Sequence, residues 1–96
     1  MIYKKILLPH ANQDIIEINL HYKLINLALV KRFNTNLKLE IKLLSKNPLL
    51  FHIRYDNFRV VKIKDFPFLI HYEIVENFIV IDAIYHTSRD SKLNLY

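Results

Sequence analysis

The sequence contains no glycine and no cysteine. The absence of glycine excludes the glycine-rich phosphate loops and dinucleotide fingerprints of many nucleotide-binding enzymes. The absence of cysteine excludes a disulfide framework and any thiolate metal site. Turns that need a positive φ must use asparagine or aspartate instead of glycine. We therefore expect turns at Asn34 and Asn36, Asn47-Pro48, Asp56-Asn57 and Glu76-Asn77.

Long hydrophobic runs are also missing. Near the start of the chain, two lysines are followed by only three aliphatic residues, which is too short for a secretory signal. No apolar stretch approaches the roughly 20 residues that span a bilayer. With 96 residues, of which 52% are apolar, the chain has enough hydrophobic material for one core. We expect a single domain over residues 1–96 and a cytoplasmic location.

The net charge of +5 is confined to the first half of the chain. Residues 1–51 contain eight Lys or Arg and three Asp or Glu, whereas residues 52–96 contain six of each. The positive electrostatic potential of this half favours an acidic partner, either a polypeptide or a nucleic acid, mainly by increasing the rate of association.

The first half of the chain predicts one strand and two helices. Residues 2–8 are apolar and end at Pro9, which suggests a strand. Asn12 or Asp14 is placed to cap a first helix that reaches about residues 24–26. A second helix carries one apolar stripe, and Asn47-Pro48 ends it. The stripe consists of Leu29, Phe33, Leu37, Ile41 and Leu44.

After Pro48 the apolar period changes to two, which predicts strands over residues 58–65, 66–75 and 78–85. Glu76-Asn77 reads as a tight hairpin turn between the last two strands. The predicted order is β-α-α-β-β-β. The fold class is therefore α+β, with a two-helix hairpin packed on a mainly antiparallel four-stranded sheet.

Four segments in this order resemble the ParE branch of the RelE/ParE superfamily of toxins. The first is Pro-His-Ala at 9–11 with the predicted helix that follows it, and the second is Val-Lys-Arg-Phe at 30–33, which leads to Leu-Leu-Ser-Lys-Asn-Pro at 43–48. The third is Phe-Pro-Phe at 66–68. The fourth is the final predicted strand, which ends in the pattern His-x-x-Arg-Asp at 86–90. The resemblance covers about residues 3–92.

The resemblance implies the toxin of a type II toxin–antitoxin pair, neutralised by an acidic antitoxin in a heterodimer or larger complex. The ParE branch, associated with plasmid stabilisation, is linked to poisoning of DNA gyrase, and the RelE branch cleaves messenger RNA in the ribosome. Because the branches share a fold, the fold cannot choose between them. A third alternative is an inactive remnant that only binds an antitoxin.

The middle strand argues against the nuclease alternative. Metal-free RNA cleavage needs a base, an acid and cationic groups together. RelE-like nucleases place arginines or lysines on the middle strands, whereas this chain has Leu69 near such a position. We therefore expect a toxin that binds a protein target. If the chain is an enzyme, a metal-independent endoribonuclease that uses His71, His86 and Arg89 is the alternative.

Other candidate site residues are arginines, histidines and leucines. Arg54, Arg59, His86 and Arg89 are candidates for target binding, and we expect Arg54 and Arg59 to be exposed. The histidines at 10, 21, 52, 71 and 86 have no metal-ligand spacing, so no metal or cofactor is expected. We expect neither membrane binding nor sequence-specific DNA binding by this chain alone.

Some leucines do not fall on one apolar stripe, which makes them candidates for an antitoxin contact through a groove or a sheet edge. These candidates are Leu20, Leu24, Leu27, Leu49, Leu50 and Phe51.

Overall fold

The computed structural model describes residues 3–88. In chain order they form β1 (Lys4–Leu7), α1 (Pro9–Lys23), α2 (Leu27–Lys46), a 3-10 turn (Pro48–Leu50), β2 (Ile53–Tyr55), β3 (Phe58–Lys62), β4 (Phe68–Val75) and β5 (Phe78–His86). The predicted α+β architecture is confirmed: a helical hairpin packs on a mainly antiparallel sheet.

Within the described part of the chain, the sheet has five strands in the order β1-β5-β4-β3-β2. β1 runs parallel to β5, and the other neighbours are antiparallel. The strand missing from the four-stranded prediction is β2, which forms a hairpin with β3 around Asp56-Asn57. Three residues are too few to show an alternating pattern, so β2 is defined by its pairing with β3.

α1 starts earlier than the sequence suggested. It begins at Pro9, whose ring presets a helical φ, and Leu8 at the N-cap makes no side-chain cap. Asp14 is buried within the helix and accepts a hydrogen bond of 2.9 Å from the backbone N–H of Ile84 in β5. The expectation that Asn12 or Asp14 caps the helix was therefore wrong, and Asp14 joins α1 to the sheet instead.

α2 carries the predicted stripe. Phe33, Leu37, Ile41 and Leu44 are buried against the sheet, and Leu29 is half-buried. The expected turn at Asn34 and Asn36 was wrong, because both residues lie inside α2. The side-chain amide of Asn36 instead donates to the carbonyl of Lys64, 2.9 Å away. The stripe overrode the local turn preference of asparagine because burying it against the sheet stabilises the helix.

The core lies between the helices and one face of the sheet. At one end of this core the side chains are aromatic: Phe33 packs edge-on against Phe66, with ring centroids 5.4 Å apart, and Tyr22 contacts the same Phe66 ring at 5.4 Å. The buried hydrophobic residues that the sheet contributes are Val61, Ile70, Tyr72, Ile79, Ile81 and Ile84. Within residues 3–88, neither helix has the length and apolarity needed to cross a membrane.

Of residues 3–88, three take positive φ in the absence of glycine. Asp56 (47°) and Glu76 (55°) lie in the two hairpin turns, and Asp65 (69°) lies in the connection between β3 and β4. Both hairpin turns are where the sequence predicted them. Glutamate tolerates this region less well than aspartate, at a cost of roughly 1–2 kcal/mol for a side chain without local compensation.

Candidate functional site

The side of the sheet away from the helices is the first candidate surface, and we call it the open face. Ile70 and Tyr72 of β4 point into the helix-facing core, so the alternate residues Leu69, His71 and Glu73 belong to the open face. Pairing between β4 and β5 shifts register after His71, which leaves Asp82 as an extra residue of β5. The bulge brings a carboxylate to the middle of the sheet.

His71 is fully buried although it belongs to the open face. Its Nδ1 lies 2.8 Å from the hydroxyl of Tyr55. The ring centroids of Tyr55 and Tyr85 lie 5.7 and 4.9 Å from that of His71. A general base must come within hydrogen-bonding distance of a substrate proton, so these neighbours would have to move before His71 acted as one. The geometry favours a packed histidine within an aromatic cluster.

Glu73 and Asp82 place negative charge on the same face. The pKa of Asp82 is raised to about 7, first by burial, then by a hydrogen bond with the Glu73 side chain and by the negative charge of Glu73. Carboxylates repel the phosphates of an RNA backbone. The Glu73–Asp82 pair is therefore an unfavourable place for an RNA phosphate.

His86 ends β5 and is exposed. Its Nδ1 accepts the backbone N–H of Ser88 at 3.1 Å and lies 2.9 Å from the Ser88 hydroxyl. A cavity of about 210 Å³ beside it is also lined by Asp14 and Glu17. These carboxylates make the cavity a poor place for a phosphate. Arg89, which the sequence paired with His86, lies outside the described residues.

The two candidate arginines differ in their surroundings. Arg54 lies on β2 and is exposed, as expected. The expectation for Arg59 was wrong: it is half-buried, and its guanidinium donates to the carbonyl of Phe51. It is paired with Tyr72 across β3 and β4, on the side of the sheet that faces the core. Arg59 therefore holds the segment that enters β2, whereas Arg54 is accessible to a partner.

The leucines proposed for antitoxin binding lie in two exposed patches. Leu20, Leu24 and Leu27 surround the connection between the helices, which we call the hairpin tip, and Leu24 is 88% exposed. Leu49 and Leu50 form a second exposed patch on the 3-10 turn. The remaining candidate, Phe51, is partly buried and packs against the core. Because the ring packs against the core, little of its surface is available to a partner protein.

A groove between β1 and α2 brings together residues that the sequence analysis did not connect. This β1–α2 groove has a volume of about 370 Å³ and is lined by Tyr3, Lys5, Lys38, Ile41, Lys42, Ser45 and Lys46. A second cavity of about 320 Å³ shares Tyr3 and Lys46 and extends to Leu49 and Leu50. The three lysines of α2 are exposed, and only the tertiary fold sets Lys5 beside the same groove.

A helical hairpin on one face of a mainly antiparallel sheet, with exposed leucines and a basic flank, defines a small protein of the RelE/ParE fold. Residues 6–91 match the family described as "ParE toxin of type II toxin-antitoxin system, parDE". The chain therefore belongs to the ParE toxin family of type II toxin–antitoxin systems.

A solved structure supports the same fold. The chain is similar to a chain of the chromosomal ParDE toxin–antitoxin system from P. aeruginosa, with a TM-score of 0.76 and 18% sequence identity. The similarity covers 88% of this chain and 96% of that one. No curated protein matches this chain by sequence.

Proposed function

We propose that this ParE-family toxin inhibits DNA gyrase by binding to it, without catalysing a reaction, and that a cognate antitoxin neutralises it in the cytoplasm. The observation that carries the proposal is the burial of His71, the residue on β4 that a nuclease would use as its base. A toxin that blocks a protein target needs an accessible surface and no activated base.

The charges around His71 support binding over RNA cleavage. Cleavage requires cationic groups where the phosphorane develops its charge. Here Leu69 is buried beside His71 in β4, and Glu73 and Asp82 contribute carboxyl groups to the same face. These residues supply neither the attraction for RNA nor the stabilisation of a charged transition state.

The exposed leucines support neutralisation by a partner protein. Leu20, Leu24 and Leu27 are all exposed at the hairpin tip and leave apolar surface in water. Burying such surface is worth roughly 25 cal/mol per Å², so a partner that covers it gains affinity. Because the excess positive charge lies in residues 1–51, an acidic partner is favoured on the helical side.

A supercoiling assay with purified gyrase tests the proposal. We expect the purified chain to inhibit supercoiling in proportion to its concentration and to increase broken DNA. Arg54→Glu should weaken inhibition, because Arg54 is the accessible candidate for target binding. Lys64→Glu is the matched control: it makes the same charge reversal at an exposed residue between β3 and β4.

Induced expression separates the alternatives. DNA damage with intact bulk messenger RNA supports the proposal. Cleavage of messenger RNA at defined codon positions in ribosomes would replace it with the nuclease alternative. Full viability, with antitoxin binding retained, would identify an inactive antitoxin-binding remnant.

A further inference from the structure

A row of side chains crosses the open face near the end of the sheet that carries the β4–β5 turn. Ile6 of β1 pairs with Val80 of β5, and Val80 pairs with Glu73 of β4. The register of β3 and β4 continues to Phe58 opposite Glu73, and Phe58 pairs with Tyr55 of β2. Residues opposite one another in neighbouring strands lie on the same face of a sheet. These five residues, one from each strand, form what we call the cross-strand row.

The cross-strand row is apolar or aromatic on both sides of Glu73. Ile6 is 39% exposed, and Val80, Phe58 and Tyr55 are half-buried. The rings of Tyr55 and Phe58 stack with their centroids 5.1 Å apart. Neighbouring strands lie about 4.8 Å apart, so Val80 and Phe58 flank the Glu73 side chain directly. Apolar surface that continues across a whole sheet is typical of a contact with another protein.

The centre of the row carries two carboxyl groups without a cation. Burial, the hydrogen bond with Glu73 and the negative charge of Glu73 raise the pKa of Asp82 to about 7. Within residues 3–88, neither carboxyl forms an ion pair with a lysine or an arginine. Apart from Glu73, nothing in this part of the chain donates a hydrogen bond to the buried Oδ2 atom of Asp82. A cationic donor from another protein would supply both the charge and the hydrogen bonds.

An arginine side chain suits these surroundings better than a lysine. Its planar guanidinium donates two parallel hydrogen bonds to carboxylates and also stacks on aromatic rings. Attraction between a cation and a ring acts within about 6 Å of the ring centroid. Because opposite residues such as Glu73 and Phe58 have Cβ atoms within about 5.5 Å, one guanidinium held by Glu73 can also contact the rings. Arginine is among the residues that most often dominate the binding energy of a protein interface.

We propose that the cross-strand row docks the target of the toxin and receives an arginine side chain of that target between the Glu73–Asp82 carboxyl pair and the rings of Tyr55 and Phe58. Apolar side chains beside the arginine cover Ile6 and Val80. The inference rests on the proposed inhibition of gyrase, which is the protein expected to supply the arginine. It places the target on the open face, away from the antitoxin contact at the hairpin tip.

Two peptides test the need for a cation without altering the protein. The probe is an acetylated and amidated Val-Arg-Val tripeptide. In the reference peptide, citrulline replaces arginine, which keeps the shape and removes the charge. Amide chemical shifts of the isotope-labelled chain report both the site and the affinity. We expect Val-Arg-Val to shift the amides of the cross-strand row and to bind at least about tenfold more tightly than the reference. Equal binding, or shifts centred on the helices, would overturn the inference.

Glu73→Gln tests the same contact from the protein side. It keeps the size of the side chain and removes its charge, so it should weaken binding of Val-Arg-Val and inhibition of gyrase by about tenfold or more. Glu17→Gln makes the same change at an exposed position of α1 and should behave as the unmodified chain does. Equal losses in the two variants would indicate a general effect of net charge and overturn the assignment to the row.

A second variant tests the aromatic part of the site and does not depend on how Glu73→Gln folds. Phe58→Leu keeps an apolar side chain and removes the ring, so it should weaken binding of Val-Arg-Val by about threefold. Unchanged binding would remove the rings from the site. Loss of antitoxin binding in Glu73→Gln, as large as the loss of gyrase inhibition, would assign the row to the antitoxin and overturn the target as its occupant.

Failure of this inference and failure of the proposed function give different results. Inhibition of supercoiling that Glu73→Gln leaves unchanged keeps gyrase as the target and overturns the docking surface. An unmodified chain that does not inhibit gyrase but prefers the arginine peptide rejects gyrase and supports the cross-strand row as the docking surface for another target.

Discussion

Tyr72 is a polar side chain accommodated within the helix-facing core. It is fully buried, and its hydroxyl donates to the carbonyl of Pro48 at 2.8 Å. Its pKa is raised to about 12, because burial disfavours the phenolate more than the nearby charge of Arg59 favours it. Tyr72 therefore remains a hydrogen-bond donor at physiological pH and ties β4 to the turn that follows α2.

Asp82 should make the folded protein less stable as pH rises, whereas an acid in a salt bridge makes it more stable. Its unfolded pKa is near 3.8 and its folded pKa about 7, so the folded state binds more protons between these values. Stability should therefore fall as pH rises through this window, and Asp82→Asn should remove that part of the loss. Urea midpoints at about pH 5 and about pH 8 measure the effect.

The exposed Asp56 provides the control for this prediction. Asp56→Asn is the same substitution in the turn between β2 and β3, where asparagine tolerates the positive φ. It should leave the pH dependence unchanged. If Asp82→Asn and the unmodified chain lose stability equally between the two pH values, the assigned role of Asp82 is wrong.

At the scale of elements, Asp14 couples α1 to β5. Its carboxylate accepts the backbone N–H of Ile84 and also lies 3.3 Å from Nε2 of His10. Asp14→Ala leaves the buried N–H without this acceptor, and we expect a loss of about 1–3 kcal/mol in the free energy of unfolding. Chemical denaturation measures the change. Gln13→Ala, at an exposed position of the same helix, should stay within about 0.5 kcal/mol; equal effects would refute the coupling.

Helices and strands could be predicted from the sequence where they are long and repeat their apolar residues at a regular spacing. The stripe on α2 and the β4–β5 hairpin were readable because each repeats its pattern over many residues. The start of α1 was misplaced because a proline that ends a strand also begins a helix. β2 was missed because three residues carry no pattern.

At the scale of the whole molecule, the hairpin tip leaves Leu20, Leu24 and Leu27 exposed to solvent. We expect Leu24→Asp/Leu27→Asp to weaken binding of the cognate antitoxin by about tenfold or more, since it replaces apolar contact with desolvated charge. Isothermal titration calorimetry measures this affinity. The double substitution should leave the unfolding midpoint nearly unchanged, because both side chains are exposed.

Val75→Asp is the control for the hairpin tip. Val75 is an exposed apolar residue at the end of β4, next to the β4–β5 turn. It should bind the antitoxin as the unmodified chain does. If both changes weaken binding to the same extent, the antitoxin contact is not centred on the hairpin tip.

The sequence by itself determined the fold class, the stripe on α2 and the exposure of the candidate leucines, because these follow from periodicity and from residues close together in the chain. The tertiary structure decided the rest. It buried His71 beneath Tyr55 and Tyr85, turned Arg59 toward the core, and set Lys5 opposite the lysines of α2. Each of these outcomes depends on strand register and helix packing between distant segments, which no local pattern encodes.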